Sequence, residues 1–298
     1  MSAIYDVTPD PGNLNSSHGI TLEMVGYNKS VLELGCSTGF MTKLFQGRGC
    51  KVVAVEFDPE AAARAELFAD RVIVGDLTKS LVWDQIGDQK FDLVLAGDVL
   101  EHLSDPVACL RSAVSHIHPT GTIVVSLPNI AHADVRLSLL KGRFDYRATG
   151  LLDQTHVRFF TIDSVRKLLR EAGLVPVEIR RVIVPIFGTE IPIERGEVPQ
   201  DVVTDVLRDP ESETYQFVVR AVIDSGAQAV RLMTEQIARL ENDLYSANFE
   251  LTMLADELAR TNADVHELRL IRKTISFRLL APPKRIWRKL RSILGLSQ

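Results

Sequence analysis

The chain has 298 residues, of which 46% are hydrophobic and 24% are charged, a balance typical of a globular protein with its own core. Its net charge of −5 is uneven, because residues 269–298 carry nine basic and no acidic side chains, while the rest carries 25 basic and 39 acidic ones. An acidic body argues against a nucleic-acid enzyme, since phosphate contacts need a basic surface.

Cysteine content and hydropathy indicate the cellular compartment. The three cysteines form no C-x-x-C pair, and no uncharged apolar run reaches the length of a membrane span. The sequence therefore predicts a reduced, cytoplasmic protein, with peripheral attachment to the inner face of the membrane as the alternative location.

The first two-thirds of the chain alternate short apolar runs with amphipathic stretches, which is typical of βαβ units around a parallel sheet. The predicted strands are residues 30–34, 51–56, 71–74, 91–96 and 121–127. The predicted helices are residues 41–46, 59–68, 106–116 and 162–172, with a further helix after the fifth strand. Runs that are apolar throughout indicate strands buried on both faces.

Two more strands are predicted at 175–184 and 213–223. The connection between them is rich in proline and acidic residues, and we expect it to run over the surface. The Ser225-Gly226 pair then ends the pattern. The sequence thus predicts one domain over residues 1–225.

A different period begins after that domain. Apolar side chains recur every seven residues from Val230 to Val265, and a second set, three residues later, runs from Met233 to Leu268. This is the a/d pattern of a coiled coil, weak only at Ala247 and Thr261. We expect residues 226–272 to form a coiled coil and the protein to be a homo-oligomer; a single helix folded back on the domain is the alternative.

The end of the chain, residues 273–298, forms a predicted basic amphipathic tail. Residues 276–285 resemble a short segment near the ends of bacterial glycosyltransferases and cell-surface assembly proteins. A basic helix with Trp287, Leu290 and Leu294 on one face can lie on an anionic membrane. Peripheral membrane or glycosyltransferase contact is therefore predicted for the tail, against a solvated basic end, and no nucleic acid is expected.

The turn after the first predicted strand carries the most chemical information. Gly35 and Gly39 let the backbone approach a ligand closely, and Glu33 at the strand end can bind an amino group. The second strand ends in Glu56, whose carboxylate can bind two ribose hydroxyls, and the third is followed by Asp76, which can accept from an adenine amine. Carboxyl ends of parallel strands share one crevice, so these carboxylates predict a nucleoside site.

Two other chemistries share part of this pattern. Residues 35–39 match the G-x-S-x-G elbow of α/β-hydrolases, but that elbow follows a later strand than the first. A nicotinamide dehydrogenase would have glycine at Ser37 and Phe40. A domain of this class that has lost its ligand is the third alternative, and the retained carboxylates argue against it.

The segment Glu33-x-Gly35-x-Ser37-x-Gly39 resembles the first motif of class I S-adenosylmethionine-dependent methyltransferases, with Ser37 in place of a commoner glycine. Residues 55–59 and 91–103 resemble the second- and fourth-strand segments of that family. The resemblance implies an α/β, Rossmann-like fold with a seven-stranded mixed sheet and helices on both faces. It also implies S-adenosylmethionine as cofactor, with Glu33 near its amine, Glu56 at its ribose and Asp76 at its adenine. The remaining cofactor-binding residues that it implies are Gly35, Cys36, Ser37, Gly39, Phe57, Leu77 and Gly97.

Residues 126–132 and 150–161 together resemble methyltransferases of bacterial surface-polysaccharide and glycolipid biosynthesis. This implies O-methylation of a saccharide or glycolipid intermediate, with a small-molecule or glycan acceptor. A neutral histidine suits removal of the acceptor proton, so His156 is the first candidate base, His132 the second, and Asp98 or His102 follow. Ordering of the loop by pairing with Asp153 is the structural alternative for His156.

No tight cluster of carboxylates and histidines is visible along the chain, and no metal site is predicted. Two other functions stay open. One is methylation of a non-sugar small molecule or lipid. The other is a coiled-coil scaffold whose methyltransferase-like domain is not catalytic.

Overall fold

The computed structural model describes residues 10–225 and, with gaps, residues between 230 and 261. Seven strands form one sheet in the order β3-β2-β1-β4-β5-β7-β6. Their bounds are β1 Ser30–Leu34, β2 Lys51–Glu56, β3 Arg71–Val74, β4 Phe91–Gly97, β5 Ile117–Pro128, β6 Leu174–Ile183 and β7 Thr214–Ile223. Strands β1 to β5 are parallel to one another, while β7 is antiparallel to both β5 and β6. The predicted mixed sheet is confirmed.

Eight helices accompany the sheet in residues 10–225. They are α1 Ser17–Val25, α2 Phe40–Gly47, α3 Pro59–Ala65, α4 Ser80–Ile86, α5 Pro106–Val114, α6 Ala133–Leu140, α7 Ile162–Glu171 and α8 Gln200–Val206. A short 3₁₀ turn, Leu100–His102, follows β4. Two large apolar clusters bury opposite faces of the sheet. One packs α5 and α7 against it, and the other packs α1 and α2.

Local signals explain where several helices begin. Thr161 precedes α7 and accepts from the backbone N–H of Ser164, whose hydroxyl accepts in turn from the Thr161 N–H. Asp105 and Asp58 cap α5 and α3 by accepting from one backbone N–H each, and each is followed by a proline in the first turn. These caps satisfy N–H groups that have no partner inside the helix.

The expected surface excursion between β6 and β7 is wrong. Part of this connection folds as α8, and its Ile191, Ile193, Val203 and Val206 are buried in a third core with α6. These apolar residues stand between the prolines and acidic residues that suggested a surface loop. Because they pack in one buried cluster with α6 residues, this part of the connection belongs to the core.

The chain divides into two compact units, Met1–Gln236 and Ile237–Gln298. Within the first unit, Leu232 packs against Val177 and Val222, so the domain extends past the predicted boundary at residue 225. The described residues from 230 to 261 are helical. The last heptad positions, Val265 and Leu268, and the predicted tail, 273–298, lie outside the described residues, so the coiled coil stays a prediction. No helix in the described part of the chain is long and apolar enough to cross a membrane.

Candidate active site

A cleft of about 720 Å³ opens at the carboxyl ends of β1 to β4. Nine of the ten predicted cofactor-binding residues line it, and they are Glu33, Gly35, Cys36, Ser37, Glu56, Phe57, Asp76, Leu77 and Gly97. Gly39 does not line it. Its φ of 80° starts α2, and a Cβ there would lie 2.8 Å from the Cα of Ala65 in α3. Gly39 therefore allows α2 and α3 to approach each other, rather than admitting a ligand.

Glu33 lies at the end of β1 and is 3% exposed. Its Oε2 accepts a 2.6 Å hydrogen bond from the Thr42 hydroxyl. Burial raises the pKa of this carboxyl to about 8, a shift that the Thr42 bond opposes. The side chain is therefore poised to ionise when a positive group enters the cleft.

Glu56 ends β2, and backbone donors orient its carboxylate. One oxygen accepts from the N–H of Ser37 at 2.7 Å, and the other accepts from the N–H groups of Phe57 and Asp58 at 2.8 and 2.9 Å. Each carboxylate oxygen can accept more than one bond, so this fixed group can still receive hydroxyl donors.

Gly35 lets the turn after β1 pack closely against Val99 in the wall of the cleft. Its φ is 74°, and a Cβ on it would lie 2.9 Å from a methyl group of Val99. The adjacent Cys36 thiol is buried and its pKa is raised by that burial, so it is an unreactive wall residue. Asp76, on the β3 side, accepts from the backbone N–H and the hydroxyl of Thr78, which lowers the pKa of its carboxyl and keeps it charged.

Asp98 lines the cleft just past β4, in the left-handed conformation with a φ of 54°. Gln216 of β7 donates through its Nε2 to Asp98 Oδ1 and to the Ser126 hydroxyl. Non-glycine residues with positive φ are costly and collect at functional sites. The β7 side chain thus fixes the direction of a carboxylate that lines the cleft.

His156 does not line the cleft itself, but its ring packs on that of His102, which does, at a centroid distance of 4.9 Å. Burial lowers the pKa of His156, with the nearby His102 as the second cause, so its imidazole is neutral at pH 7. The ring bonds the backbone of Leu151, and Nδ1 has no partner. The expected pairing with Asp153 is made through the backbone, because the His156 N–H donates to the Asp153 carbonyl.

The structure contradicts the expectation that carboxylates and histidines form no tight cluster. One ligand atom each from Glu101, His102 and His156 lie within 4.8 Å of one another, an arrangement we call the 101/102/156 cluster. Sequence reasoning missed it because more than fifty residues separate the two histidines. The fold joins them where the backbone N–H groups of Val157 and Arg158 donate to the Glu101 carbonyl.

His132 lies outside the cleft lining and is fully buried. His132 caps α6, because its Nδ1 accepts from the backbone N–H of Asp134. Its Nε2 lies 2.9 Å from the Val184 carbonyl oxygen. Because both ring nitrogens are engaged, neither is available to take an acceptor proton. This placement favours a structural role over the catalytic one predicted from the sequence.

Helix α1 supplies cleft residues that sequence reasoning missed. Ser17, His18 and Thr21 line the cleft from this helix, and Thr155 and Val157 line it from the loop that carries His156. Sequence reasoning did not predict this helix, so it offered no signal for these residues.

The chain matches known proteins over the part that forms this cleft. The family model described as "Methyltransferase domain" matches residues 20–179, more than half of the chain. A ubiquinone biosynthesis O-methyltransferase of Psychrobacter arcticus is 24% identical over 175 residues, which cover 56% of this chain and 67% of that enzyme. The enzyme of the same name from a Bradyrhizobium species is 27% identical over 159 residues, which cover 53% and 63%.

Among solved structures, a SAM-dependent methyltransferase from Archaeoglobus fulgidus superposes with a TM-score of 0.51 at 17% identity, over 69% of this chain and 91% of that one. At this identity the likeness concerns the fold alone. The chain spans about two thirds or less of the length of the two curated relatives. Their names contain no saccharide, so the comparisons do not support the predicted resemblance to polysaccharide and glycolipid enzymes.

Proposed function

This chain belongs to the methyltransferase domain family, for which S-adenosylmethionine is the expected cofactor, and from that premise we propose that it methylates a hydroxyl oxygen of a small molecule. The observation that carries the proposal is the convergence of Glu33, Glu56 and Asp76 on one cleft. These carboxylates end three neighbouring strands, where open α/β sheets bind their ligands.

The charges and donors of the cleft fit this cofactor. Glu33 is a buried acid that gains from a cationic amine, and Glu56 is held rigid for two ribose hydroxyls. Asp76 stays ionised at neutral pH and suits an exocyclic amine donor. When bound, S-adenosylmethionine supplies a sulfonium-activated methyl carbon, which passes to the acceptor oxygen as the carbon–sulfur bond breaks.

In this proposal the methyl acceptor binds in the part of the cleft lined by Asp98 and His102. The protein has to orient the hydroxyl in line with the carbon–sulfur bond and to remove its proton. Asp98, held by Gln216, is a fixed acceptor for that hydroxyl. His156, neutral and with Nδ1 unpartnered, packs behind His102 and can accept the proton through that residue.

An acceptor with an apolar or aromatic body fits the surroundings of this site. Val157 is 58% exposed at the cleft edge, and the rings of His156, Phe159, Phe144 and Tyr146 pack in series away from it. The curated relatives, ubiquinone biosynthesis O-methyltransferases by name, point to the same kind of acceptor. The saccharide or glycolipid acceptor expected from the sequence is the second candidate, with Asp98 and Ser104 as polar partners in the cleft.

The experiment is to incubate the full chain with S-adenosylmethionine and two acceptor sets. One set contains dihydroxylated phenols with and without an apolar chain, and the other contains nucleotide-linked and lipid-linked sugars. We expect S-adenosylhomocysteine and a methylated product, detected by mass spectrometry, with the phenols. A methylated sugar would establish the second candidate, and no binding of S-adenosylmethionine would overturn the proposal.

The His156→Ala variant tests the acceptor side. We expect turnover on the identified acceptor to fall about 10²-fold or more, with little change in cofactor affinity, because the cofactor carboxylates are untouched. His118→Ala, an exposed histidine away from the cleft, is the control and should turn over normally. Normal turnover of the folded His156→Ala variant would remove this residue from the mechanism.

A further inference from the structure

The 101/102/156 cluster presents free lone pairs on its two histidines. His102 Nδ1 lies 3.2 Å from the Thr155 carbonyl oxygen, an atom that can only accept, so Nδ1 carries the proton and Nε2 keeps a lone pair. The hydrogen bond from His156 to the Leu151 backbone leaves Nδ1 as its unpartnered ring nitrogen. Metal-binding histidines are held in this manner, with one nitrogen donating to a carbonyl and the other facing the ion.

The third member of the cluster is a buried carboxyl group with one unpartnered oxygen. Glu101 is 1% exposed, and its Oε2 accepts no hydrogen bond. A buried polar atom left in this state destabilises the folded protein. His156 Nδ1, in a side chain that is 9% exposed, is a second such atom, and both belong to the group whose ligand atoms lie within 4.8 Å of one another. A cation between them would satisfy both.

We propose that Glu101, His102 and His156 bind one divalent first-row transition-metal ion at the acceptor end of the cleft. Two imidazoles and one carboxylate suit ions such as Mn²⁺, Fe²⁺ or Zn²⁺ better than Mg²⁺, which prefers oxygen ligands. Three protein ligands leave open positions on such an ion. His102 and the neighbouring Thr155 and Val157 line the cleft, so these positions are accessible to an acceptor oxygen.

The ion's role depends on the proposed function and deepens it. A hydroxyl oxygen bound to the ion has a lowered pKa and loses its proton to solvent near neutral pH. An oxygen lone pair then forms the new carbon–oxygen bond, while the sulfur keeps the electron pair of the broken carbon–sulfur bond. The acceptor class is therefore a small molecule with a hydroxyl group that can ligate the ion, such as one of two adjacent hydroxyls. His156 would then act as a ligand and not as a base.

The test measures metal and cofactor binding separately on the same preparations. Chelator-treated full-length protein is titrated with Mn²⁺, Zn²⁺ and Mg²⁺ by calorimetry, and free Mn²⁺ is counted by electron paramagnetic resonance. The same samples are titrated with S-adenosylmethionine. The variants are Glu101→Gln and His156→Ala, and the controls are Glu60→Gln and His118→Ala, which alter exposed residues outside the cluster. Thermal unfolding checks that each variant is folded.

We expect one Mn²⁺ or Zn²⁺ per chain, bound more tightly than Mg²⁺. Each cluster variant should weaken Mn²⁺ binding by at least about 100-fold. This exceeds the loss expected when a residue that only hydrogen-bonds to a metal ligand is changed. Both controls should bind Mn²⁺ with wild-type affinity. Cofactor binding without stoichiometric Mn²⁺ or Zn²⁺ binding, or Mn²⁺ binding unaffected in a folded cluster variant, would overturn the metal site and leave the proposed function standing. Failure to bind S-adenosylmethionine would instead contradict the proposed function. If Glu101→Gln does not fold, His156→Ala decides.

Discussion

Two residues without glycine's freedom hold left-handed backbone conformations at the cleft. Ser37 has a φ of 50° and Asp98 a φ of 54°, and each follows the end of a central strand. Such conformations cost on the order of 1–3 kcal/mol and persist where surrounding contacts fix them. The Ser37 backbone N–H donates to the Glu56 carboxylate, and the Asp98 carboxylate accepts from the Gln216 side chain. The strained residues therefore lie at both parts of the proposed site, Ser37 where the methyl donor would bind and Asp98 where the methyl acceptor would bind.

Glu33 links cofactor binding to pH. Its carboxyl has a pKa of about 8 in the unbound protein, so below pH 8 it is protonated, and a cationic amine favours its ionised form. Binding below pH 8 then requires loss of a proton. We expect the affinity for S-adenosylmethionine to rise by up to about tenfold per pH unit from pH 6 to pH 8 and to level off above, measured by calorimetry.

The Glu33→Gln variant is the control for this pH dependence. It should bind the cofactor more weakly at pH 8 and lose the slope. It should also unfold at a higher temperature at pH 8. A carboxyl whose pKa is raised in the folded state lowers the free energy of unfolding, and this loss is complete once the pH exceeds the folded-state pKa. The uncharged amide of the Glu33→Gln variant removes the loss. The same pH profile in wild type and variant would show that Glu33 does not face the amine.

At the scale of elements, the first parallel strands were the most predictable features, although only Ile73 is buried in β3. The first three predicted strands coincide with β1, β2 and β3, because their apolar runs are bounded by polar turns on both sides. β5 begins at Ile117 instead of Gly121, since Ile117 pairs with Phe91 before an irregularity in the ladder. That pairing depends on a distant strand, and local sequence does not contain it.

Helix α1 shows why part of the fold escaped prediction. Its Ile20, Thr21, Leu22, Met24 and Val25 are all buried, so apolar residues do not repeat with the helical period. Its buried residues do not mark one face, and the cleft residues that it supplies were missed with it. In contrast, the cofactor carboxylates were predictable because each stands at or just past the end of a recognisable strand. The 101/102/156 cluster was not, because it forms only when two distant loops meet.

The placement of His132 makes a prediction about α6. We expect His132→Ala to lower the free energy of unfolding by about 2–4 kcal/mol, since it removes both the cap of α6 and the bond to the Val184 carbonyl. Turnover of the folded protein should change less than about twofold. His132→Asn retains a capping oxygen and should recover about 1 kcal/mol in urea unfolding. A loss of turnover of about 10² at unchanged stability would make His132 catalytic.

At the scale of the whole molecule, the predicted heptad positions are exposed in the single chain. Val230, Ile237, Leu244, Leu251 and Leu258 are each between 56% and 65% exposed. A long apolar seam of this kind is seldom left uncovered, and pairing with identical chains covers it. We therefore expect the full chain to be oligomeric by light scattering at micromolar concentration.

The comparison is a chain ending at Gln236, which keeps Leu232 on the domain. It should be smaller than the full-length assembly and should still bind S-adenosylmethionine, because the cleft lies before residue 158. A monomeric full-length protein would exclude the coiled coil and favour a helix folded on its own domain.

The most direct test of the central claim is a calorimetric titration of S-adenosylmethionine into wild type, Glu56→Ala and Glu60→Ala. Wild type and Glu60→Ala, whose side chain is exposed on α3, should bind with the same affinity. Glu56→Ala should lose more than about 1.5 kcal/mol, at least about tenfold in affinity, because two charge-assisted hydrogen bonds to the ribose disappear. Unchanged affinity in a folded Glu56→Ala protein would contradict the assignment of this cleft to the cofactor.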